Sequence, residues 1–251
     1  MRMLSLCNLA VALAVLVSGA YAKSTGAAFS LAHSVFAGVA CAGALVALIR
    51  PRQSSRWGAG VALGLLVLAG LSGVWRQGAH ELVPVLHAVS GIVAIGVLGA
   101  VAWPPSAEVR RVGNFRMVAR VLLIATLTQV TLGALVRHLG AGLSIPDFPL
   151  AMGRLVPPLT SKFVVIHFLH RVVGMIVVTV GLIASGIASM ELEDVAKLGL
   201  LTRCCAALLS GQVVLGAYVI WWQRDVWVTT AHVVNGAVIF ALATTIWKRS
   251  E

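Results

Sequence analysis

Residues 163–189 read FVVIHFLHRVVGMIVVTVGLIASGIAS, an almost unbroken apolar run whose one charged residue is Arg171. A helix rises 1.5 Å per residue, so about 20 residues cross the roughly 30 Å of hydrocarbon in a bilayer. Comparable apolar runs occupy 4–22, 29–49, 57–75, 83–103, 117–136, 200–221 and 228–247. The sequence therefore predicts an all-α polytopic membrane protein with eight transmembrane helices.

The composition agrees with a chain surrounded by lipid. Hydrophobic residues make up 59% of it and charged residues only 11%, whereas soluble domains are about 25% charged. The net charge of +11 comes from short basic runs between the apolar stretches, where lysine and arginine set membrane orientation. We therefore exclude nucleic-acid binding and expect the lipid bilayer as the surrounding partner. The four cysteines lie within apolar stretches and predict neither a disulfide nor a zinc site.

The basic residues predict the orientation of the helices. One side of the predicted topology carries 12 of the 19 lysines and arginines. They are Arg2, Arg50, Arg52, Arg56, Arg110, Arg111, Arg116, Arg120, Lys197, Arg203, Lys248 and Arg249. The positive-inside rule makes this side cytoplasmic, which predicts a multi-pass protein of the cytoplasmic membrane with both termini inside. The first run could instead be a signal peptide, because it ends in Ala20-Tyr21-Ala22.

An internal repeat favours a first helix that stays in the protein. Residues 129–134 (QVTLGA) and 212–217 (QVVLGA) match closely, and 18–20 (SGA) and 71–73 (LSG) resemble their endings. Each ending precedes a histidine early in the next helix. The simplest account is a four-helix unit used twice, which predicts two pseudo-symmetric four-helix bundles. Their predicted ranges are 1–110 for helices 1–4, and 111–251 for helices 5–8 with a long outer loop at 137–162.

Five histidines lie near the outer ends of the even-numbered helices. They are His33, His87, His167, His170 and His232. Histidine inside a membrane span is costly and is therefore a functional candidate. Facing imidazoles hold haem iron, so we pair His33 with His87 and His170 with His232. Imidazole also suits copper and zinc, and a single histidine could be only an interhelical hydrogen-bonding group.

Cationic side chains border the second predicted histidine pair. Arg171 follows His170 directly, and Arg137, Arg154 and Lys162 lie in or beside the long loop. A guanidinium can pair bidentately with a carboxylate such as a haem propionate. The alternative for Arg137, Arg154 and Lys162 is a solvated charge at the membrane surface.

Four short motifs resemble the haem A synthase family. They are 133–138 (GALVRH), 140–144 (GAGLS), 146–150 (PDFPL) and 167–171 (HFLHR). The resemblance implies two four-helix bundles with a histidine pair in each, and oxidation of the C8 methyl of haem O to the formyl group of haem A. It also implies haem B as a cofactor and use of the product in respiratory oxidase assembly. Haem O synthase and a quinol or reductase electron donor are implied as partners.

The resemblance also assigns roles to individual residues. His170 and His232 would be axial ligands, and Arg137 and Arg171 would lie near the propionates. The family's pattern Glu-x-x-His-Arg has a glutamate where this chain has His167. His167 would then be the catalytic proton-transfer group, since the ordinary pKa of histidine is near 6.5. It could equally be a group that hydrogen-bonds to an iron ligand, or an alternative ligand itself.

Three functions remain open from the sequence. The first is the enzyme that the resemblance implies. The second is a non-catalytic bis-histidine cytochrome that transfers electrons, which the replaced glutamate favours. The third is a transporter or assembly factor that binds haem transiently.

Overall fold

The computed structural model describes residues 2–25, 31–49, 53–74, 80–103, 113–191 and 196–251. Within these ranges the secondary structure is helical, with no strand. The helices are α1 (Arg2–Thr25), α2 (Leu31–Ile49), α3 (Gln53–Val74), α4 (Val83–Ala102), α5 (Gly113–His138), α6 (Lys162–Glu191), α7 (Ala196–Trp221) and α8 (Val226–Ser250). A short 3₁₀ turn, Ala141–Leu143, lies in the loop between α5 and α6.

Six of the described helices, α3 to α8, are long and apolar enough to cross a membrane. The described parts of α1 and α2 carry the shorter apolar stretches Leu9–Lys23 and His33–Val46. The prediction of an all-α polytopic membrane protein is therefore confirmed, and the count of eight spans stays a prediction. Several helices extend beyond the predicted apolar runs, because polar residues continue the helix past the hydrocarbon. In α8, Lys248 and Arg249 form the last turn, where cations interact favourably with the helix dipole.

The helices pack in two closed circuits. In the first, α1 and α3 each contact α2 and α4; in the second, α5 and α7 each contact α6 and α8. The circuits meet where α8 lies against α4 and α1, and where α4 lies against α5. That these circuits are separate bundles related by pseudo-symmetry stays a prediction. Its boundary between residues 110 and 111 lies outside the described residues, as do Arg50, Arg52, Arg110 and Arg111.

Small residues form the contacts between helices, and large apolar residues face outward. Ala40, Ala94 and Ala243 are fully buried, whereas Leu71 is 63% exposed and Ile124 is 60% exposed. This distribution reverses the pattern of soluble proteins. It suits a bilayer, where helices associate by close packing of small residues.

The contact between α4 and α8 depends on a glycine. A Cβ atom at Gly96 would lie 2.5 Å from Cε1 of Phe240 and 2.9 Å from Oγ1 of Thr244. Such distances are not tolerated, so any larger residue would push the two helices apart. Gly96 therefore permits the close packing of α4 against α8, where the two circuits meet.

Candidate haem-binding site

Four histidines lie near the first turns of α2, α4, α6 and α8, at what we call the histidine end of the molecule. Each imidazole ring rests on a glycine of the preceding helix. The pairs, with the distance from a Cβ atom placed on the glycine to the ring Cε1, are Gly19–His33 (2.8 Å), Gly73–His87 (3.1 Å), Gly133–His170 (3.1 Å) and Gly216–His232 (3.3 Å). The glycines of the sequence repeat therefore provide the space that the rings occupy.

The rings come together in the two pairs expected from the sequence. The ring centroids of His33 and His87 lie 6.0 Å apart, and those of His170 and His232 lie 6.4 Å apart. An imidazole nitrogen binds a first-row metal at about 2.0 Å, so two nitrogens on opposite sides of one iron lie about 4 Å apart and the ring centroids about 6 Å apart. Both separations suit one haem iron between the rings, and iron ligation itself stays a prediction.

Backbone carbonyls orient the first pair. His33 Nδ1 lies 3.0 Å from the carbonyl oxygen of Val15, and His87 Nδ1 lies 2.8 Å from that of Ala69. A carbonyl oxygen only accepts hydrogen bonds, so Nδ1 is the donor in both rings. The proton on Nδ1 leaves the lone pair on Nε2 available for a metal.

In the second pair, glutamine side chains hydrogen-bond to the backbone of the histidines. Gln129 Nε2 donates to the carbonyl oxygen of His170 at 3.0 Å, and Gln212 Nε2 donates to that of His232 at 2.9 Å. Gln212 Oε1 in turn accepts from Asn235 Nδ2 at 2.7 Å. Sequence reasoning did not use these glutamines, although each begins one copy of the repeated hexapeptide.

The second pair lacks the short Nδ1 hydrogen bonds of the first. Nδ1 of His170 and Nδ1 of His232 are buried and make no hydrogen bond of good geometry within the described part of the chain, although the backbones of Gln129 and Gln212 interact weakly with these histidines. His170 Nε2 lies 3.5 Å from Gln129 Nε2, which is at the outer limit of hydrogen bonding. With the proton on Nδ1, Nε2 of each ring keeps a lone pair that a metal can use.

The start of α8 is fixed by Asp225. Its carboxylate accepts hydrogen bonds from the backbone N–H groups of Trp227 at 2.9 Å and Val228 at 3.1 Å. This is an N-cap, which is worth about 1 kcal/mol. It sets where the helix begins and hence the depth at which His232 lies.

The loop between α5 and α6 is anchored by Arg171. The guanidinium donates to the carbonyl oxygens of Leu150 at 2.9 Å and Ile145 at 3.0 Å. It also lies 5.8 Å from the ring centroid of Phe148. The sequence predicts that Arg171 lies near the propionates. In the structure, its guanidinium N–H groups donate to the loop.

His167 belongs to the same anchor. It is buried, with the backbone N–H of Ile145 3.3 Å from Nδ1 and Nε of Arg171 3.4 Å from Nε2. A neutral imidazole accepts at only one nitrogen, so these two donors compete. The ring is thus engaged by the loop, and its predicted catalytic role stays a prediction.

Arg137 joins the two circuits at the histidine end. From the last turn of α5 its guanidinium donates to the carbonyl oxygen of Ala20 on α1 at 2.7 Å. Ala20 follows Gly19, on which the His33 ring rests. The expected propionate contact of Arg137 stays a prediction. Of the other cations considered, Lys162 forms an exposed ion pair with Glu81 at 3.2 Å, and Arg154 is exposed.

Comparison with known proteins decides the family. Residues 31–244 match the family model COX15-CtaA, described as Cytochrome oxidase assembly protein. The chain belongs to this family. The haem A synthase resemblance is thereby confirmed, and relatives named Heme A synthase match most of the chain.

Three of these COX15-CtaA relatives show the extent of the similarity. The protein from Methylobacterium radiotolerans is 29% identical over 220 residues, covering 77% of this chain and 59% of the relative. The one from a Jannaschia species is 28% identical over 239 residues, covering 82% and 62%. The one from Sphingopyxis alaskensis is 30% identical over 214 residues, covering 79% and 56%. The chain thus spans about six tenths of the length of these relatives.

Sequence reasoning also missed Asp147, within the family-matched loop. Its carboxylate accepts from the N–H groups of Met152 at 2.6 Å and Gly153 at 2.7 Å, and both residues have positive φ. The hydrogen bonds from Gly153 and then Met152, together with the charge of Arg171, hold the pKa of Asp147 below its ordinary value. Aspartate followed by a glycine-containing turn was the available signal.

Proposed function

We propose that this chain is a membrane oxidoreductase of haem A biosynthesis, which oxidises the C8 methyl group of haem O to the formyl group of haem A for respiratory oxidase assembly. The observation that carries the proposal is the recurrence of one arrangement four times. A histidine rests on a glycine of the preceding helix, and these histidines form two pairs whose separations suit iron. Membership of the family supports the same conclusion.

The proposal assigns one haem to each pair. His33 and His87 would hold one haem and His170 and His232 the other, with haem O as substrate and haem B as the resident cofactor. We leave open which pair holds which haem. Bound haem iron supplies one-electron redox and oxygen chemistry. With electrons from a donor, the reaction balances as R–CH₃ + 2 O₂ + 4 e⁻ + 4 H⁺ → R–CHO + 3 H₂O, in which the two dioxygen molecules accept four electrons from the methyl carbon and four from the donor.

The residues of the chain contribute holding and orientation. The carbonyls of Val15 and Ala69 fix the imidazole tautomers of the first pair, and Gln129 and Gln212 fix the backbone of the second. The apolar helices exclude water from both pairs. With a propionate present, Arg137 would bind its carboxylate from the histidine end. Arg171 would approach it while it holds the loop.

The proposal extends to the arrangement in the membrane. Eight helices would span the cytoplasmic membrane as two bundles, with both termini in the cytoplasm and the histidine end outside. The alternation of basic residues supports this orientation. Haem O synthase would supply the substrate, and a quinol or a reductase would supply electrons.

Identification of the bound haems tests the proposal. The protein is expressed in a host that makes haem O and purified in detergent, and its haems are extracted and identified by chromatography and mass. We expect haem A or a hydroxymethyl intermediate that cells without the protein do not make. His80→Ala is the matched control, because His80 is an exposed loop residue. It should leave the haem content unchanged. Absence of every haem would overturn the histidine-pair assignment.

A second function is favoured by the contacts of His167. The ring nitrogens face the N–H of Ile145 and Nε of Arg171, and the backbone of Ala141 also bonds to the ring. His167 is therefore committed to holding the loop. A non-catalytic bis-histidine cytochrome needs no proton relay. Two equivalents of haem B, with no oxidised product despite available haem O, would establish that function. If the enzyme uses His167, His167→Phe should abolish the product while the haem content stays the same.

A further inference from the structure

An apolar groove opens between α1, α2 and α8 at the histidine end. Its volume is about 490 Å³ and its lining is almost entirely apolar. The lining includes Val17, Ser18, Tyr21, Phe36, Trp227 and Thr230. None of the six belongs to the histidine pairs or the loop anchor, so the groove is a separate feature.

The groove contains one polar group without a partner. Thr230 is 7% exposed, and its Oγ1 has no hydrogen-bond partner within the described part of the chain. Other helical threonines, such as Thr126 and Thr244, donate to the carbonyl oxygen four residues earlier. A buried hydroxyl without a partner is costly, and Thr230, unlike the equally unpartnered Thr229, lines the groove, so a ligand there that carries a hydrogen-bond acceptor would satisfy it.

The lining also favours a flat ring. Tyr21 and Trp227 contact each other with ring centroids 5.3 Å apart, and Phe36 contributes a third aromatic ring from α2. Aromatic side chains form favourable stacked or edge-to-face contacts with planar groups. A lipid acyl chain would fill the apolar volume, and its ester carbonyl could accept from Thr230, but it would offer no ring for these contacts.

The groove lies beside the first histidine pair. Ser18 lines the groove, and its Oγ lies 3.4 Å from Nδ1 of His33. A redox-active ring in the groove would therefore be close to a proposed haem ligand. Among planar, apolar ligands that carry a hydrogen-bond acceptor, this position beside a proposed haem ligand favours one that is redox-active.

We infer that the groove binds the head group of a membrane quinone, with a ring carbonyl accepting a hydrogen bond from Thr230 Oγ1. Its use as an electron source rests on the proposed function. A quinol bound there would become quinone by releasing two protons to water at the histidine end and giving up two electrons, for which haems held by the two histidine pairs would be the one-electron acceptors. Binding of the quinone itself requires no haem.

Equilibrium binding of radiolabelled decylubiquinone to the purified protein in detergent tests the inference, with empty micelles as background. Thr230→Val keeps the shape and removes the hydroxyl. Loss of one neutral hydrogen bond predicts about two- to tenfold weaker binding. Thr229→Val is the matched control, because its hydroxyl is also buried and unpartnered but the residue does not line the groove. It should bind as the wild type does.

A second variant keeps the test informative if Thr230→Val folds poorly. Ala14 also lines the groove, and Ala14→Leu should fill it and abolish saturable binding while retained haem reports an intact fold. An azidoquinone should crosslink to peptides of α1 or α8. The inference is overturned by non-saturable binding, by wild-type affinity in both variants, or by displacement of the quinone by phosphatidylglycerol alone. Bound haem without quinone binding would refute only this inference, and quinone binding without haem would refute only the proposed function.

Discussion

Alanine in place of the four glycines beneath the histidine rings should disturb haem binding in a graded order. The added Cβ atom would lie closest to the ring at Gly19, at 2.8 Å from Cε1 and 3.0 Å from Nδ1 of His33. It would lie 3.1 Å from the rings at Gly73 and Gly133, and 3.3 Å at Gly216. A separation under 3.0 Å forces the ring or the helix to move, whereas 3.3 Å requires only a few tenths of an ångström.

The cost of each change follows from overpacking. An extra carbon in a well-packed interior costs about 1–3 kcal/mol, and about 1.4 kcal/mol changes an equilibrium constant tenfold. Gly19→Ala at the upper end would weaken haem binding at the first pair by about a hundredfold. Gly216→Ala at the lower end would weaken the second pair about fivefold. Gly73→Ala and Gly133→Ala should weaken haem binding by intermediate factors, each only at the histidine pair that it contacts.

The chain offers matched controls for this series. Alanine at Gly70 on α3 or Gly211 on α7 would meet nothing within 4 Å. In a helix, alanine is otherwise more favourable than glycine by about 0.5–1 kcal/mol, so these two variants should retain haem fully. The assay is the ratio of haem to protein after purification, together with reduced-minus-oxidised spectra during titration with apomyoglobin as a haem acceptor.

The reasoning fails if the order is lost. Equal haem retention in all four ring-contact variants and both controls would mean that the rings do not depend on the glycines. A stronger loss in Gly216→Ala than in Gly19→Ala would mean that packing against the ring does not set the affinity. Loss of all haem in every variant, controls included, would indicate a global effect of alanine instead.

Three further predictions concern single residues. His33→Ala should remove about half of the bound haem, and His80→Ala none, as measured by pyridine haemochrome. The pKa of Asp147 is lowered by the Gly153 and Met152 hydrogen bonds, so its stabilisation of the loop is complete above the ordinary pKa of about 3.9 and is lost as the pH falls below it. The protection factors of the loop amides, which correct for the pH dependence of intrinsic exchange, should therefore fall on acidification, and Asp147→Asn should remove this change. Gln212→Leu removes the hydrogen bonds to the His232 carbonyl and from Asn235. It should lower the free energy of unfolding by about 1–3 kcal/mol, as measured by thermal unfolding.

The helices and the histidine pairs could be predicted from the sequence because their signals are strong and local. An apolar run of about 20 residues has few alternatives to a membrane helix. Histidines at matching positions after a repeated motif must fall at similar depths. The pairing of His170 with His232 followed from the repeat, although the long loop separates His170 from Gly133 along the chain.

The loop contacts could not be predicted, because they depend on the path of an irregular backbone. Arg171 donates to the carbonyls of Ile145 and Leu150, contacts that no sequence pattern indicates, and its propionate contact stays a prediction. The role predicted for His167 came from its place in a motif. Its contacts depend on the loop path that brings Ile145 back against α6. Sequence spacing along a helix gives the face on which a residue lies but not the turn of loop that covers it.

The two histidine pairs have similar separations but different supports, and this predicts different reduction potentials. In the first pair, hydrogen bonds from Nδ1 to the carbonyls of Val15 and Ala69 make the imidazoles more basic, and more basic ligands stabilise ferric iron. In the second pair, Nδ1 of His170 and of His232 makes no hydrogen bond of good geometry within the described part of the chain, and only weak interactions with the backbones of Gln129 and Gln212 replace it. A haem held by the first pair should therefore have the lower potential, and electrons would pass from the first pair to the second. Redox titration should resolve two transitions, and His87→Ala should remove the lower one. Removal of the higher transition instead would show that hydrogen bonding at Nδ1 does not set the order.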